Sequence, residues 1–116
     1  MLHICPTDVV HAPAEGIWRL VSRPSELVRW TDTSWIPAGT ERTRPVGEVP
    51  DRELRAGDRL VRGAGIGHRL TVVFEVRDTV PPRRLALHIR LPFGVTNDEV
   101  IEIAPLGAEA CRVTFN

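Results

Sequence analysis

Leu70-Thr71-Val72-Val73-Phe74-Glu75-Val76-Arg77 and Leu85-Ala86-Leu87-His88-Ile89-Arg90-Leu91-Pro92-Phe93 place a large apolar side chain at every second position. A period of two is the mark of a β-strand with one buried face. The pattern recurs downstream. Ile101 and Ile103 alternate with Val100 and Glu102, and Cys111, Val113 and Phe115 alternate with Arg112, Thr114 and Asn116. Pro81-Pro82, Gly94 and Pro105-Leu106-Gly107 separate the runs with turn residues. These features predict an antiparallel meander with one apolar and one largely polar face. The apolar face requires a cover.

Upstream, Leu2 to Val10 is β-compatible, with Pro6 marking an edge or a bend. Ala12-Pro13-Ala14-Glu15 then reads as a helix start, with Pro13 at the first helical position. Ile17, Trp18, Leu20 and Val21 form one stripe at helical spacing. Pro24 restarts the chain, and Leu27, Val28 and Trp30 give a second short apolar face. Two short helices broken at a proline are expected, too small to cover the whole sheet. Residues 31–57 are rich in proline and glycine, so one or two short strands in a long loop are expected there. Gly63-Ala64-Gly65-Ile66-Gly67 lacks the lysine and the strand-to-helix context of a phosphate-binding loop, and reads as a hairpin turn or strand kink.

Composition sets bounds on function. With 42% apolar and 26% charged residues, the 116-residue chain can form one packed domain rather than a disordered coil. Fifteen basic residues, all arginine, balance fifteen acidic ones. That balance removes the electrostatic argument for nucleic acid or an anionic membrane. The N-terminus has no signal-peptide pattern, and no apolar run approaches a membrane span. Cys5 and Cys111 are too few for a disulfide scaffold, so a cytoplasmic protein with reduced thiols is expected. His3, His11, His68 and His88 have no metal-ligand spacing, so neither metal nor cofactor is expected.

Five local words appear in order along nearly the whole chain. They are Ala12 to Trp18, Pro24 to Trp30, Gly57-Asp58-Arg59-Leu60, Val80-Pro81-Pro82-Arg83-Arg84-Leu85, and Ala104-Pro105-Leu106-Gly107 with Arg112-Val113-Thr114-Phe115. On these words the chain resembles the START-like (SRPBCC, helix-grip) superfamily, in particular its polyketide cyclase/dehydrase and lipid-transport branch. The resemblance implies an α+β fold in which about seven antiparallel strands curve around a long C-terminal helix, with two short helices after strand one. It also implies an apolar cavity and neighbouring positions for Cys5 and Cys111 in strands one and seven. The sequence departs from this pattern because no closing helix follows Asn116. The expectation is a single domain over residues 1–116. Its concave face would be covered by a partner subunit, a bound apolar molecule or natural chain beyond Asn116.

Three function classes follow. The first is binding of a hydrophobic small molecule, lipid or polyketide-like, by Trp30, Trp35, Val72, Phe74, Leu87, Ile89, Leu91 and Ile101. The second is a cyclase or dehydratase. Glu99 shares parity with Ile101 and Ile103, and an inward carboxylate among aliphatic residues can exchange protons with substrate. Asp32, near Trp30, is the other carboxylate of interest. The third is association with a partner protein or a second copy through the uncovered sheet face.

Overall fold

The computed structural model describes residues 7–36, 48–62 and 71–116. The expected strand Leu2–Val10 is seen as β1 (Thr7–Val10); its first part, with His3, Cys5 and Pro6, lies outside the described residues. The chain continues through α1 (Ala14–Ser22), α2 (Pro24–Trp30), β2 (Ser34–Ile36) and β3 (Arg59–Arg62). It then forms β4 (Val72–Val80), β5 (Arg84–Arg90), β6 (Thr96–Pro105) and β7 (Cys111–Phe115). The seven strands make one curved antiparallel sheet in the order β1-β7-β6-β5-β4-β3-β2. Gly63 to Gly67 and His68 lie outside the described residues.

Helix α1 turns one face to the sheet. Ala14, Ile17, Trp18, Val21 and Ser22 follow the helical period, and all five are at least partly buried. Two details differ from the sequence expectation. Pro13 occupies the N-cap, with ψ 141°, rather than the first helical position. Leu20 lies outside the stripe and Ser22 takes an inward place, because positions 18 and 22 share a face one turn apart. Pro24 opens α2 and holds Arg23 extended, at φ −116° and ψ 125°, which separates the two helices.

The strand run expected through Phe93 ends at Arg90. Pro92 cannot donate to the ladder, so Leu91 and Phe93 fall in a turn although they keep the alternating phase. In β4 a bulge interrupts the register. Val76 faces Leu87 and Asp78 faces Ala86, leaving Arg77 between them. The inward phase shifts by one residue there, so Thr79, not Asp78, stands opposite the inward Leu85.

The segment 48–58 forms no helix or strand, yet it is anchored to both layers. The Leu54 backbone N–H donates to the Ser22 carbonyl at 2.6 Å, and its side chain joins the core. Asp58 is only 2% exposed. Its carboxylate accepts two guanidinium bonds from Arg52, at 2.8 and 3.2 Å, and one from the Arg55 backbone at 2.7 Å. The hydrogen bonds to Asp58 raise the Arg52 pKa above its ordinary value. Asp58 also exchanges a backbone bond with β4, where Val76 N–H donates to its carbonyl at 2.8 Å. At the surface, the Ser25 hydroxyl and then Arg23 hold the Asp51 carboxyl below the usual carboxylate range.

Removing one partner of a buried ion pair leaves the other uncompensated. Asp58→Ala is therefore expected to lower unfolding free energy by about 3 kcal/mol, measured by urea denaturation. A cost near zero would show that Asp58 does not hold the segment. Leu85→Ala deletes a nearly inaccessible side chain from the central strand and is expected to cost about 3 kcal/mol in the same assay.

Candidate functional site

Antiparallel partners that stand directly opposite each other share a sheet face, so the ladder shows which side chains meet. One row runs Trp35–Leu60–Phe74–Ile89–Asn97 across β2 to β6. The next is Val76–Leu87–Glu99. A third is Thr79–Leu85–Ile101–Phe115, and beyond it Ile103 faces Val113. Val72 stands opposite Arg62 at the other end. These rows form the inner face.

The inner face is covered unevenly. Leu85, Ile101, Ile103, Cys111 and Val113 are buried and pack in one cluster with Trp18 of α1 and Leu27 of α2, and the cluster extends through Val76 to Leu60 and Trp35. Val72, Phe74 and Leu87, in β4 and β5, are only half-buried, and Phe74 and Leu87 pack against the edge of that cluster. Ile89, beside them, is buried. Glu99 is half-buried, opposite Leu87 and two residues from Ile101. It lies within β6, not at a frayed end, and has the inward parity expected from sequence.

The outer face carries charged pairs on β4 to β6, and the buried Ile36 and Val61 on β2 and β3. Glu75 pairs with Arg90 at 3.0 Å and with Arg77 at 3.2 Å. His88 Nδ1 lies 2.7 Å from Asp98 Oδ1. His88 is thus on the polar side of its strand, as its phase requires.

The structure gathers Val72, Phe74, Leu87, Ile89, Ile101 and Glu99 on one face, but it does not bring every candidate there. Trp30 is 57% exposed and donates its indole N–H to the Leu20 carbonyl at 2.9 Å. That bond sets Trp30 against the exposed side of α1, away from the core. Trp35 is 4% exposed, packed in the core beneath the Arg52 guanidinium, which sits 5.5 Å from its ring centre. Leu91 lies in the turn after β5 and is exposed. Asp32 is exposed in the loop between α2 and β2. Cys111 is a buried free thiol, and Cys5 lies outside the described residues, so their expected proximity does too.

Sequence reasoning missed Leu60 and Arg62, which stand opposite Phe74 and Val72. A four-residue strand is too short to display a period. It also missed two grooves. One, of about 340 Å³, lies beside α1 between Trp18, Arg19 and Glu53. The other, of about 430 Å³, lies at the β4–β5 turn between Val80, Arg84 and Glu102.

A seven-stranded curved antiparallel sheet with two short helices after its first strand matches the sheet and short helices of helix-grip domains. The chain belongs to the polyketide cyclase/dehydrase and lipid transport family, whose model it matches over residues 1–116. Solved structures agree on the fold. CalU16 from Micromonospora echinospora is similar at 14% identity and TM-score 0.61, over 96% of this chain and 57% of that one. A protein from Thermobifida fusca, solved by NMR, is similar at 24% identity and TM-score 0.67, over 97% of this chain and 69% of that one. An HSP90 activator from Plasmodium falciparum is similar at 12% identity and TM-score 0.62, over 97% and 71%. The chain thus spans little more than half the length of CalU16. No curated protein sequence matches it. Among the described residues, no helix is long and apolar enough to cross a membrane.

The three tryptophans provide a check on this geometry. Trp18 and Trp35 are buried and Trp30 is not. Trp30→Phe is expected to remove nearly all iodide-quenchable fluorescence and leave blue-shifted emission from the other two. Strong residual quenching would place Trp18 or Trp35 at the surface.

Proposed function

We propose that the domain binds a hydrophobic small molecule, a lipid or a flat polyketide-like compound, on the open end of its inner face. One observation carries this reading: Phe74 and Leu87, central in the sheet and inward in phase, remain half-buried. Central inward residues of a sheet are normally sealed by the opposite layer. Here α1 and α2 seal the other end. Val72, Phe74, Leu87, Ile89 and Ile101 are the contacts proposed for the ligand, and Trp35 shapes the site from the core behind Arg52. Trp30 and Leu91 would contact only a part of the ligand that projects beyond the face. The description of the family, which includes lipid transport, supports the class of ligand.

Glu99 favours a second reading. A half-buried carboxylate directly opposite Leu87 would lie beside a ligand on this face and could exchange a proton with it. This is the cyclase or dehydratase reading, and the exposed Asp32 contributes less to it. Association of two copies through the same open face is a third use, and it would compete with ligand.

Native mass spectrometry of the purified protein, alone and with a panel of lipids and aromatic polyketides, tests these readings. The expected result is a monomer retaining one apolar molecule. Phe74→Ala and Leu87→Ala should each weaken retention about ten-fold, the usual effect of removing a large apolar contact. If both variants stay folded and bind as well as the parent, the binding site is elsewhere. Glu99→Gln should leave retention intact in every case, and abolish turnover of a cyclisable substrate under the second reading. Undiminished turnover in that variant would remove Glu99 from any proton transfer.

A further inference from the structure

The turn between β5 and β6 has a composition and a backbone that its structural task does not explain. Leu91 N–H donates to the Val95 carbonyl at 2.7 Å and closes the turn. Phe93 and Gly94 at its apex have φ of 65° and 75°. Hairpin apices with positive φ at successive residues favour Asn-Gly or Gly-Gly, because a side chain there crowds the backbone. Phenylalanine is a poor choice for that conformation. It also gains nothing from packing, since Phe93 is 89% exposed. Such strain at an exposed aromatic points to a role for the side chain outside the fold.

The surroundings narrow that role. Leu91 and Val95 flank Phe93 and are themselves exposed, so three large apolar side chains crowd one tip. Isolated exposed apolar residues are ordinary, but a cluster on a projection is a contact surface. From Leu91 to Asn97 no residue carries a charge. Arg90, at the base of the tip, is already paired with Glu75 at 3.0 Å. The tip can therefore enter a low-dielectric medium without dragging an unpaired charge along. Thr96 and Asn97, just behind it, are exposed and can hydrogen-bond to polar headgroups.

We propose that the β5–β6 tip, with Phe93 at its apex, inserts as a wedge into the interfacial layer of a lipid bilayer. A bilayer yields to a projecting side chain, whereas a protein partner would need a preformed pocket. The chain carries no net charge, so the contact is apolar rather than electrostatic. A single small wedge gives weak, reversible attachment. The tip connects β5 and β6, whose inward residues Leu87, Ile89 and Ile101 belong to the inner face, so docking would set that face beside the lipid. The proposal stands on the tip alone and does not require the ligand reading above.

Co-sedimentation of the full chain with vesicles of phosphatidylcholine, and of phosphatidylcholine with phosphatidylglycerol, at low and high salt, tests it. The expected result is weak binding to both vesicle types, insensitive to salt. Phe93→Gly should lower the partition coefficient about ten-fold, since burying a phenylalanine is worth one to two decades. The same variant should melt at an equal or higher temperature, because glycine relieves the positive φ. Phe93→Trp should bind and show blue-shifted emission on adding vesicles, relative to the parent protein. The proposal is overturned if the parent stays in the supernatant, which would leave a protein pocket as the tip's occupant. It is equally overturned if Phe93→Gly binds like the parent, or if binding needs anionic lipid and vanishes at high salt. Retention of apolar ligand, measured on Phe93→Gly by mass spectrometry, should be unchanged. Loss of the ligand reading with vesicle binding intact would separate the two.

Discussion

The sheet is larger than the helices that pack on it, and much of the structure follows from that mismatch. A nine-residue helix is about 13 Å long, and the ten residues of β6 extend about 34 Å. Seven strands at normal spacing make a sheet about 29 Å wide. Helices α1 and α2 can therefore bury only part of the inner face. They bury the part built from Leu85, Ile101, Ile103, Cys111 and Val113, and leave Phe74 and Leu87 half covered. The proline between them matters here. A continuous helix would reach farther along one line, whereas the extended Arg23 lets two short helices cover a broader patch at one end.

The third component of the cover is the segment 48–58, which has no regular structure. A polar backbone packed against a core must find hydrogen-bond partners without a helix or strand to supply them. Asp58 solves part of that problem by accepting bonds from Arg52 and the Arg55 backbone while its own backbone bonds to β4. Arg52 then lies over Trp35. One residue with a buried carboxylate thus joins the loop, β4 and a core indole. A hydrophobic replacement of similar volume could pack as tightly, but it would not reproduce these directional contacts.

What was legible in the sequence was whatever repeats. The alternation through Phe74, Leu87, Ile101 and Val113 predicts both the strands and their inward sides. It also places Glu99 inward. Aperiodic features stayed hidden. The inward turn of Ser22 was obscured because it is polar, and the exposure of Leu20 because it is not. Arg77 sits in a bulge that no local pattern announces. Alternation misled at Leu91 and Phe93, which keep the phase of β5 but have left the ladder at Pro92. The burial of Asp58 was hidden because the partners that justify it lie in a loop without a period. The open site was legible as a face and not as a pocket, because openness depends on helix length, not on which strand residues point inward.

The position of Glu99 follows from the same mismatch. A carboxylate on the sealed end, beside Ile103 or Cys111, would be desolvated without a partner and would cost several kcal/mol, of the order found for unpaired buried charge. At the open end water reaches it, so the fold tolerates it across from Leu87. Along β6 the inward residues change from Asn97 and Glu99 to Ile101 and Ile103, and their burial changes with them. The strand thus records in its own sequence where the helical cover stops. Any apolar molecule that seals the open end must also cover that carboxylate. It must then offer Glu99 a polar partner. That requirement favours a ligand with a hydroxyl or carbonyl near one end over a purely aliphatic chain.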